Sequence, residues 1–248
     1  MIILSVLFFI TAILYSSVGF GGGSTYLALL LIWDIPYYIF PVIALLCNII
    51  VVTSNSFNYI RAGNHNFKLL MPFLLGSVPL AFIGGTLIVE KKIFEILLFL
   101  VLAISGLLLL KNNKSYGEKN IKIKKLSQFI SIFIGSILGL VSGIVGIGGG
   151  IFLSPILFLL KADKPKIIAT TASLFILINS ISGILGQLTK KVILNEIINY
   201  WALFLTVLIG GFIGNYLNLK IFSNRILAII TSLLVVFVAI RMGYRIFI

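Results

Sequence analysis

Two short glycine-rich segments are the residues of this sequence best suited to bind a ligand. Gly19–Gly23 and Gly146–Gly150 share the pattern G-x-G-G-G, and they begin 127 positions apart. A helix does not readily continue through so many glycines, because each interior glycine costs about 1 kcal/mol relative to alanine. Each segment is therefore predicted to end one helix and to begin another.

The start of the helix after each break is suited to bind an anion. Its first backbone N–H groups have no partner within the helix, and the helix dipole places about half a positive charge there. Glycine also lets consecutive N–H groups surround an anion closely. Ser24 and Thr25 add hydroxyl groups in the first segment, whereas Ile151 and Phe152 occupy the matching positions of the second. We therefore expect an asymmetric oxyanion site.

The helices that follow the glycine segments carry many polar side chains. Such residues either bond neighbouring membrane helices or line a polar path. Taken as a set on corresponding helices, they are expected to line a shared path. The predicted substrate-binding residues are Gly21, Gly22, Gly23, Ser24, Thr25, Gly148, Gly149, Gly150, Ile151, Phe152, Asn55, Asn179 and Ser182.

Composition indicates a polytopic helical membrane protein. The chain is 60% hydrophobic and only 10% charged. A spanning helix needs about 20 apolar residues, and no charge occurs in residues 1–33, 35–60, 69–89, 96–110, 126–160, 167–189, 197–219 or 226–240. The net charge of +13 comes from lysines and arginines in short loops, where positive charge sets topology and meets anionic lipid. The lipid bilayer is thus an expected partner and nucleic acid is not.

The sequence does not suggest an enzyme. It has no G-x-S-x-G motif, no intramembrane cluster of His, Asp and Glu, and only one cysteine, Cys47. We therefore predict no catalytic residue, no metal site and no cofactor. The acidic residues lie at the ends of the apolar runs or in the linker, which argues against a proton pump or a cation antiporter.

The chain divides into two similar halves. Asp34–Pro36 is matched by Asp163–Pro165, and Phe82–Gly84 is matched by Phe212–Gly214, at nearly the same spacing as the glycine segments. The expected domains are a first transmembrane repeat (1–110), a basic linker predicted to be cytoplasmic (111–126) and a second transmembrane repeat (127–248). The expected fold is all-α, and each repeat has a glycine-broken helix pair followed by three transmembrane helices.

The path of each broken helix pair decides the topology. The apolar pieces 24–33 and 151–160 rise only about 15 Å as helices, which is half of a hydrocarbon core. Each pair is therefore either one bent crossing, which gives parallel repeats, or a re-entrant hairpin, which gives inverted repeats. The two topologies differ by one lysine or arginine on the linker side, so the positive-inside rule does not decide. We favour inverted repeats because they bring two half-helix ends to one site at the midplane.

The extended pattern G-x-G-G-G-x-x-x-x-P at Gly146–Pro155, its duplication and the basic central loop resemble the TauE/SafE sulfite exporter family, also called the toluene-sulfonate uptake permease group. The resemblance covers nearly the whole chain. The first repeat departs from it at Ala28, where the second has Pro155. The resemblance implies movement of sulfite, sulfonates or similar anions across a bacterial inner membrane, and it does not assign a direction.

The leading hypothesis is therefore a multi-pass secondary transporter of small organic or sulfur-containing oxyanions. The sulfur comes from the family resemblance alone. An anion channel that uses the same helix ends is the alternative. A small anionic substrate is the expected partner, and a homodimer is compatible with the sequence.

Overall fold

The computed structural model is helical throughout most of the residues it describes, which are 1–33, 35–111, 123–124, 126–190, 194–220, 233, 236–237, 239–240 and 243–244. Its helices are α1 (Ile2–Val18), α2 (Gly23–Ile32), α3 (Phe40–Arg61), α4 (Phe67–Thr86), α5 (Lys91–Lys111), α6 (Gln128–Val145), α7 (Gly150–Leu159), α8 (Pro165–Gln187), α9 (Leu194–Ile197) and α10 (Trp201–Lys220). Outside the described residues lie Asp34, most of the predicted linker and most of the last apolar run, 226–240.

Five helices of the described chain are long and apolar enough to cross a membrane. These spans are Tyr37–Arg61, Phe67–Thr86, Gln128–Val145, Lys166–Gln187 and Ile198–Leu217. The protein is thus an all-helical, multi-pass membrane protein, as its composition predicts. α2 and α7 have ten residues each and are too short to span alone.

Both predicted helix breaks occur at the glycines. We call Gly19–Gly22, between α1 and α2, the first glycine loop, and Gly146–Gly149, between α6 and α7, the second glycine loop. Gly22 and Gly149 immediately precede α2 and α7, with φ angles of 89° and 75°. This left-handed region is open to glycine but strained for most other residues. The glycines therefore allow one helix to end and the next to begin within a few residues.

α3 and α8 form the centre of the helix bundle. In the most apolar 18 residues of these two helices, 61% and 67% of the residues are buried, against 33–39% in the other three spans. Ser56 near the end of α3 bonds Ser173 near the start of α8, with 3.0 Å between their hydroxyl oxygens. Leu45 near the start of α3 lies beside Gly183 near the end of α8. The two helices are therefore antiparallel. Because they are the most buried spans, their side chains can line a site inside the bundle.

Small residues allow α6 to lie directly against α4. Gly135, Gly139 and Gly143 recur every four residues on one face of α6, and a Cβ atom on any of them would overlap a carbonyl oxygen of α4. The carbonyl oxygens are those of Phe73, Ser77 and Ala81. Such close backbone contact is typical of membrane helices, where small residues maximise van der Waals packing.

α10 packs against α1 in the same way. A Cβ on Gly210 would lie 2.6 Å from the carbonyl oxygen of Phe9, and one on Gly214 would overlap that of Ile13. Both contacts advance in the same direction along the two helices, so α1 and α10 are parallel.

Hydrogen bonds between loops define two ends of the bundle. At what we call the linker end, the backbone N–H of Lys124 donates to the carbonyl of Lys161 at 3.0 Å. The Asn66 amide donates to the Asp163 carboxylate at 2.7 Å at the same end. Residues just before α6, just after α7 and just before α4 therefore lie together.

The opposite end joins the other connections. Tyr38, before α3, donates its hydroxyl to the Glu196 carboxylate at 3.0 Å. Lys190, after α8, donates to the carbonyl of Leu87, after α4, at 2.6 Å. The starts of α3 and α10 and the ends of α4 and α8 therefore belong to this end.

Alanine substitutions on α10 test the close packing. Gly214→Ala should destabilise the protein by about 1–3 kcal/mol, the usual cost of overpacking, because the new methyl group meets the α1 backbone. Gly211→Ala is the matched control, since its nearest neighbour would be 3.5 Å away in ordinary contact with Val51. Thermal unfolding in detergent should show a lower midpoint for Gly214→Ala only. Equal midpoints would contradict the packing described.

Candidate functional site

The two glycine loops meet inside the bundle. A Cβ atom added to Gly23, the first residue of α2, would lie 2.9 Å from the carbonyl oxygen of Ile147 in the second loop. A cavity of about 10 Å³ lies at this junction, which is close to the smallest space that holds one water. Its lining residues are Tyr15, Phe20, Gly21, Gly22, Gly23, Ser24, Ile147, Ile151 and Ile176. The first turns of α2 and α7 thus face the same small space.

The junction is rich in backbone N–H groups that lack acceptors. In the described part of the chain, the N–H groups of residues 21–24 and 147–151 make no hydrogen bond. The regular helical pattern begins one turn later, where the N–H groups of Tyr26 and Leu153 donate to the carbonyls of Gly22 and Gly149. With the dipoles of α2 and α7 added, the junction attracts negative charge.

Asn48 of α3 connects the two loops. It is fully buried, and its Nδ2 donates to the carbonyl oxygen of Ile147 at 3.0 Å. Side chains at Gly21, Gly23 or Gly148 would collide with its amide. Its Oδ1 has no hydrogen-bond partner among the described residues. One side chain of α3 thus holds the second glycine loop in place.

α8 carries two further polar side chains, of which Ser180 lies beside the second loop. A Cβ on Gly148 would lie 3.0 Å from the Ser180 hydroxyl, which is buried and has no partner in the described chain. Asn179 donates its amide to the carbonyl of Phe175 at 2.8 Å, and its Oδ1 is likewise unpartnered there. A buried polar group without a hydrogen-bond partner costs free energy. A ligand that supplied the missing partners would recover that free energy on binding.

Tyr15 of α1 orders the hydroxyl groups at the start of α2. Its hydroxyl lies 2.7 Å from that of Thr25 and 3.3 Å from that of Ser24. The two hydroxyls predicted to act as donors therefore have a partner within the protein.

Most of the predicted residues lie at the junction or next to it. Gly21–Ser24 and Ile151 line the cavity, and Gly148 contacts Asn48 and Ser180. Side chains of α8 cover the two glycines at the start of α7, because Phe175 lies beside Gly149 and Ile176 lies beside Gly150. Phe152 is buried in the apolar core.

Two predicted side chains make contacts between helices instead. The Asn55 amide donates to the carbonyl of Ser16 at 3.1 Å, and its oxygen accepts from the Ser16 hydroxyl. The Ser182 hydroxyl donates to the carbonyl of Val78 at 2.6 Å. Neither residue lines the cavity.

Asn48 and Tyr15 were not among the predicted residues. Asn48 belongs to the polar set on the helix after the first glycine segment, which was the available signal. Tyr15 carries no comparable signal, since a tyrosine in an apolar run is ordinary. No cluster of three His, Cys, Asp or Glu residues that could hold a metal occurs in the described part of the chain.

The model of the family described as "Sulfite exporter TauE/SafE" matches residues 4–242. The chain belongs to this family. It is 25% identical to the probable membrane transporter protein y4hK of Sinorhizobium fredii, with 93% of each chain covered. It is 29% identical to the probable membrane transporter protein MJ0441 of Methanocaldococcus jannaschii, over 74% of this chain and 70% of the relative.

A third relative is the probable membrane transporter protein YunE of Bacillus subtilis, 24% identical over 94% of each chain. No solved structure matches the chain significantly. The family and these relatives are named as transporters, so this TauE/SafE member is a membrane transporter and not an enzyme, as predicted.

Two tyrosine substitutions test the hydrogen bonds beside the junction. Tyr15→Phe should destabilise the protein by about 1–3 kcal/mol, because it leaves the buried hydroxyls of Ser24 and Thr25 without their partner. Tyr26→Phe is the matched control: Tyr26 is also fully buried, but its hydroxyl has no partner in the described chain. Thermal unfolding should show a loss for Tyr15→Phe and no loss for Tyr26→Phe. The reverse order would contradict the assignment.

Proposed function

We propose that this chain is a secondary transporter of small organic or sulfur-containing oxyanions, which bind between the N-termini of α2 and α7. The observation that carries the proposal is the convergence of two helix starts whose N–H groups, in residues 21–24 and 147–151, lack acceptors in the described chain. Helix N-termini are well suited to bind anions. Broken helices whose ends meet inside the membrane are a common form of transporter site.

The charges of the chain agree with an anionic substrate. None of the five candidate spans contains Asp or Glu, whereas carboxylates inside the membrane mark proton and cation pathways. An anion held by backbone N–H groups needs no buried lysine or arginine. Sulfite and sulfonates are proposed as substrates because of the family to which the chain belongs.

We also propose that the glycine-broken pairs are re-entrant hairpins. The bond from Lys124 to Lys161 supports this, because it brings together the chain before α6 and the chain after α7. A bent crossing would separate these residues by the thickness of the membrane.

We further propose inverted repeats, which two matching helix contacts support. Gly84 of α4 lies against the carbonyl of Leu140 in α6, and Gly214 of α10 lies against that of Ile13 in α1. Gly84 corresponds to Gly214, and Ile13 corresponds to Leu140, at nearly the spacing that separates the two glycine segments. α4 begins at the linker end and α10 at the opposite end, so the corresponding helices run in opposite directions. Such a pair of repeats offers two mirror-related states for alternating access.

The cavity of about 10 Å³ is too small for a sulfur oxyanion. Substrate binding therefore requires the two glycine loops to separate, as in a carrier that passes through an occluded state. An anion channel would instead conduct without exchange.

Counterflow in proteoliposomes tests the transport proposal. Liposomes loaded with unlabelled sulfite should take up labelled sulfite saturably, and acetate and chloride loads show whether other anions exchange. Conductive flux without counterflow would favour a channel. Absence of transport of every anion by folded protein would contradict the oxyanion site.

Gly148→Ala tests the junction itself. It should remove most of the counterflow, because its methyl group would meet Ile176, Asn48 and Ser180 within 3.0 Å. Gly63→Ala is the matched control, since Gly63 also has a positive φ (73°) but no atom within 4 Å of the added Cβ. Both variants carry similar backbone strain. Equal counterflow by the Gly148→Ala and Gly63→Ala variants would show that the junction has no role in transport.

Cysteine labelling tests the hairpin. In a Cys47→Ala background, Lys124→Cys and Lys164→Cys should react with an impermeant reagent from the same side of the membrane, and Glu90→Cys from the other. Reaction of Lys164→Cys together with Glu90→Cys would instead indicate a bent crossing.

A further inference from the structure

The orientation of the Asn48 amide follows from its neighbour. The carbonyl of Ile147 can only accept a hydrogen bond, so the NH₂ group of Asn48 must face it, as the 3.0 Å contact has it. The Oδ1 atom must then face the other way: it is the nearest atom to a Cβ added on Gly21, and it would lie 3.1 Å from one added on Gly23. Both glycines line the cavity. Oδ1, which has no partner among the described residues, therefore lies on the far side of these glycines from the cavity.

Within the described chain, two kinds of polar group at the junction have no hydrogen-bond partner. The free N–H groups of both loops need acceptors, which any oxyanion supplies. The buried Oδ1 of Asn48 needs a donor, which a fully deprotonated oxyanion does not supply. The Ser180 hydroxyl can serve either need, because it both donates and accepts. A ligand that satisfies the whole junction therefore carries acceptor oxygens and at least one donor.

We propose that Asn48 contacts the substrate and makes the site select oxyanions that carry a hydrogen-bond donor, such as hydrogensulfite, over equally charged anions that only accept. The inference rests on the proposed function. Because the cavity is too small for the substrate, the loops must separate on binding, and Asn48 lies between them. An acceptor-only anion would then place an oxygen or a methyl group against Oδ1. Sites built to form a hydrogen bond reject analogues that cannot form it.

Sulfamate and methanesulfonate give a matched test. They have the same charge and nearly the same shape, and they differ in an NH₂ group against a methyl group. Each would compete with labelled sulfite during counterflow by the wild-type protein. Sulfamate should inhibit at a concentration at least about tenfold lower, in line with the discrimination of hydrogen-bonding sites. Burial alone would favour the methyl group, so the expected order is opposite to that of hydrophobicity.

Asn48→Leu should bring the two inhibition constants together, because leucine neither donates nor accepts. Thr53→Val is the control on the same helix: its hydroxyl is exposed and donates to the carbonyl of Ile49. It should keep the preference of the wild type. If Asn48→Leu does not fold, the wild-type comparison still decides.

Equal inhibition by both anions in the wild type would overturn the inference and leave the proposed function standing. A preference that survives in Asn48→Leu would also overturn it. Absence of saturable counterflow with every oxyanion would overturn the proposed function and the inference together.

Discussion

Backbone N–H groups that lack a helical partner must be enclosed by protein when they lie at membrane depth, because lipid cannot bond them. Both glycine loops contain such N–H groups, and the proposed hairpins place them at membrane depth. Each loop is enclosed by the other, by Asn48 of α3 and by the side chains of α8 that cover α7. The high burial of α3 and α8 follows from this requirement.

Close helix packing makes the enclosure possible. The glycine face of α6 brings it against the backbone of α4, and the glycines of α10 do the same against α1. α1 and α6 are the helices that lead into the two loops, so their positions set where the loops meet. A fold with larger side chains on these faces would hold the loops further apart.

Much of the fold could be predicted from the sequence, because a helix break requires glycine and a span requires a long apolar run. The N-termini of α2 and α7 were placed correctly by the glycine pattern alone. The roles of the asparagines could not be predicted in this way. Asn48 and Asn55 lie two turns apart on one helix, yet one joins the glycine loops and the other bonds Ser16 of α1. That difference depends on the neighbouring helices, which leave no local pattern in the sequence.

The proposed transport depends most on where the oxyanion binds, and a heavier analogue of sulfite can locate that site. Selenite has the same shape and charge, and selenium gives an anomalous diffraction signal. A crystal of the protein with selenite should show one selenium peak within hydrogen-bonding reach of the N–H groups of both Gly23 and Gly150. A peak elsewhere in the bundle, with none between α2 and α7, would contradict the proposed site.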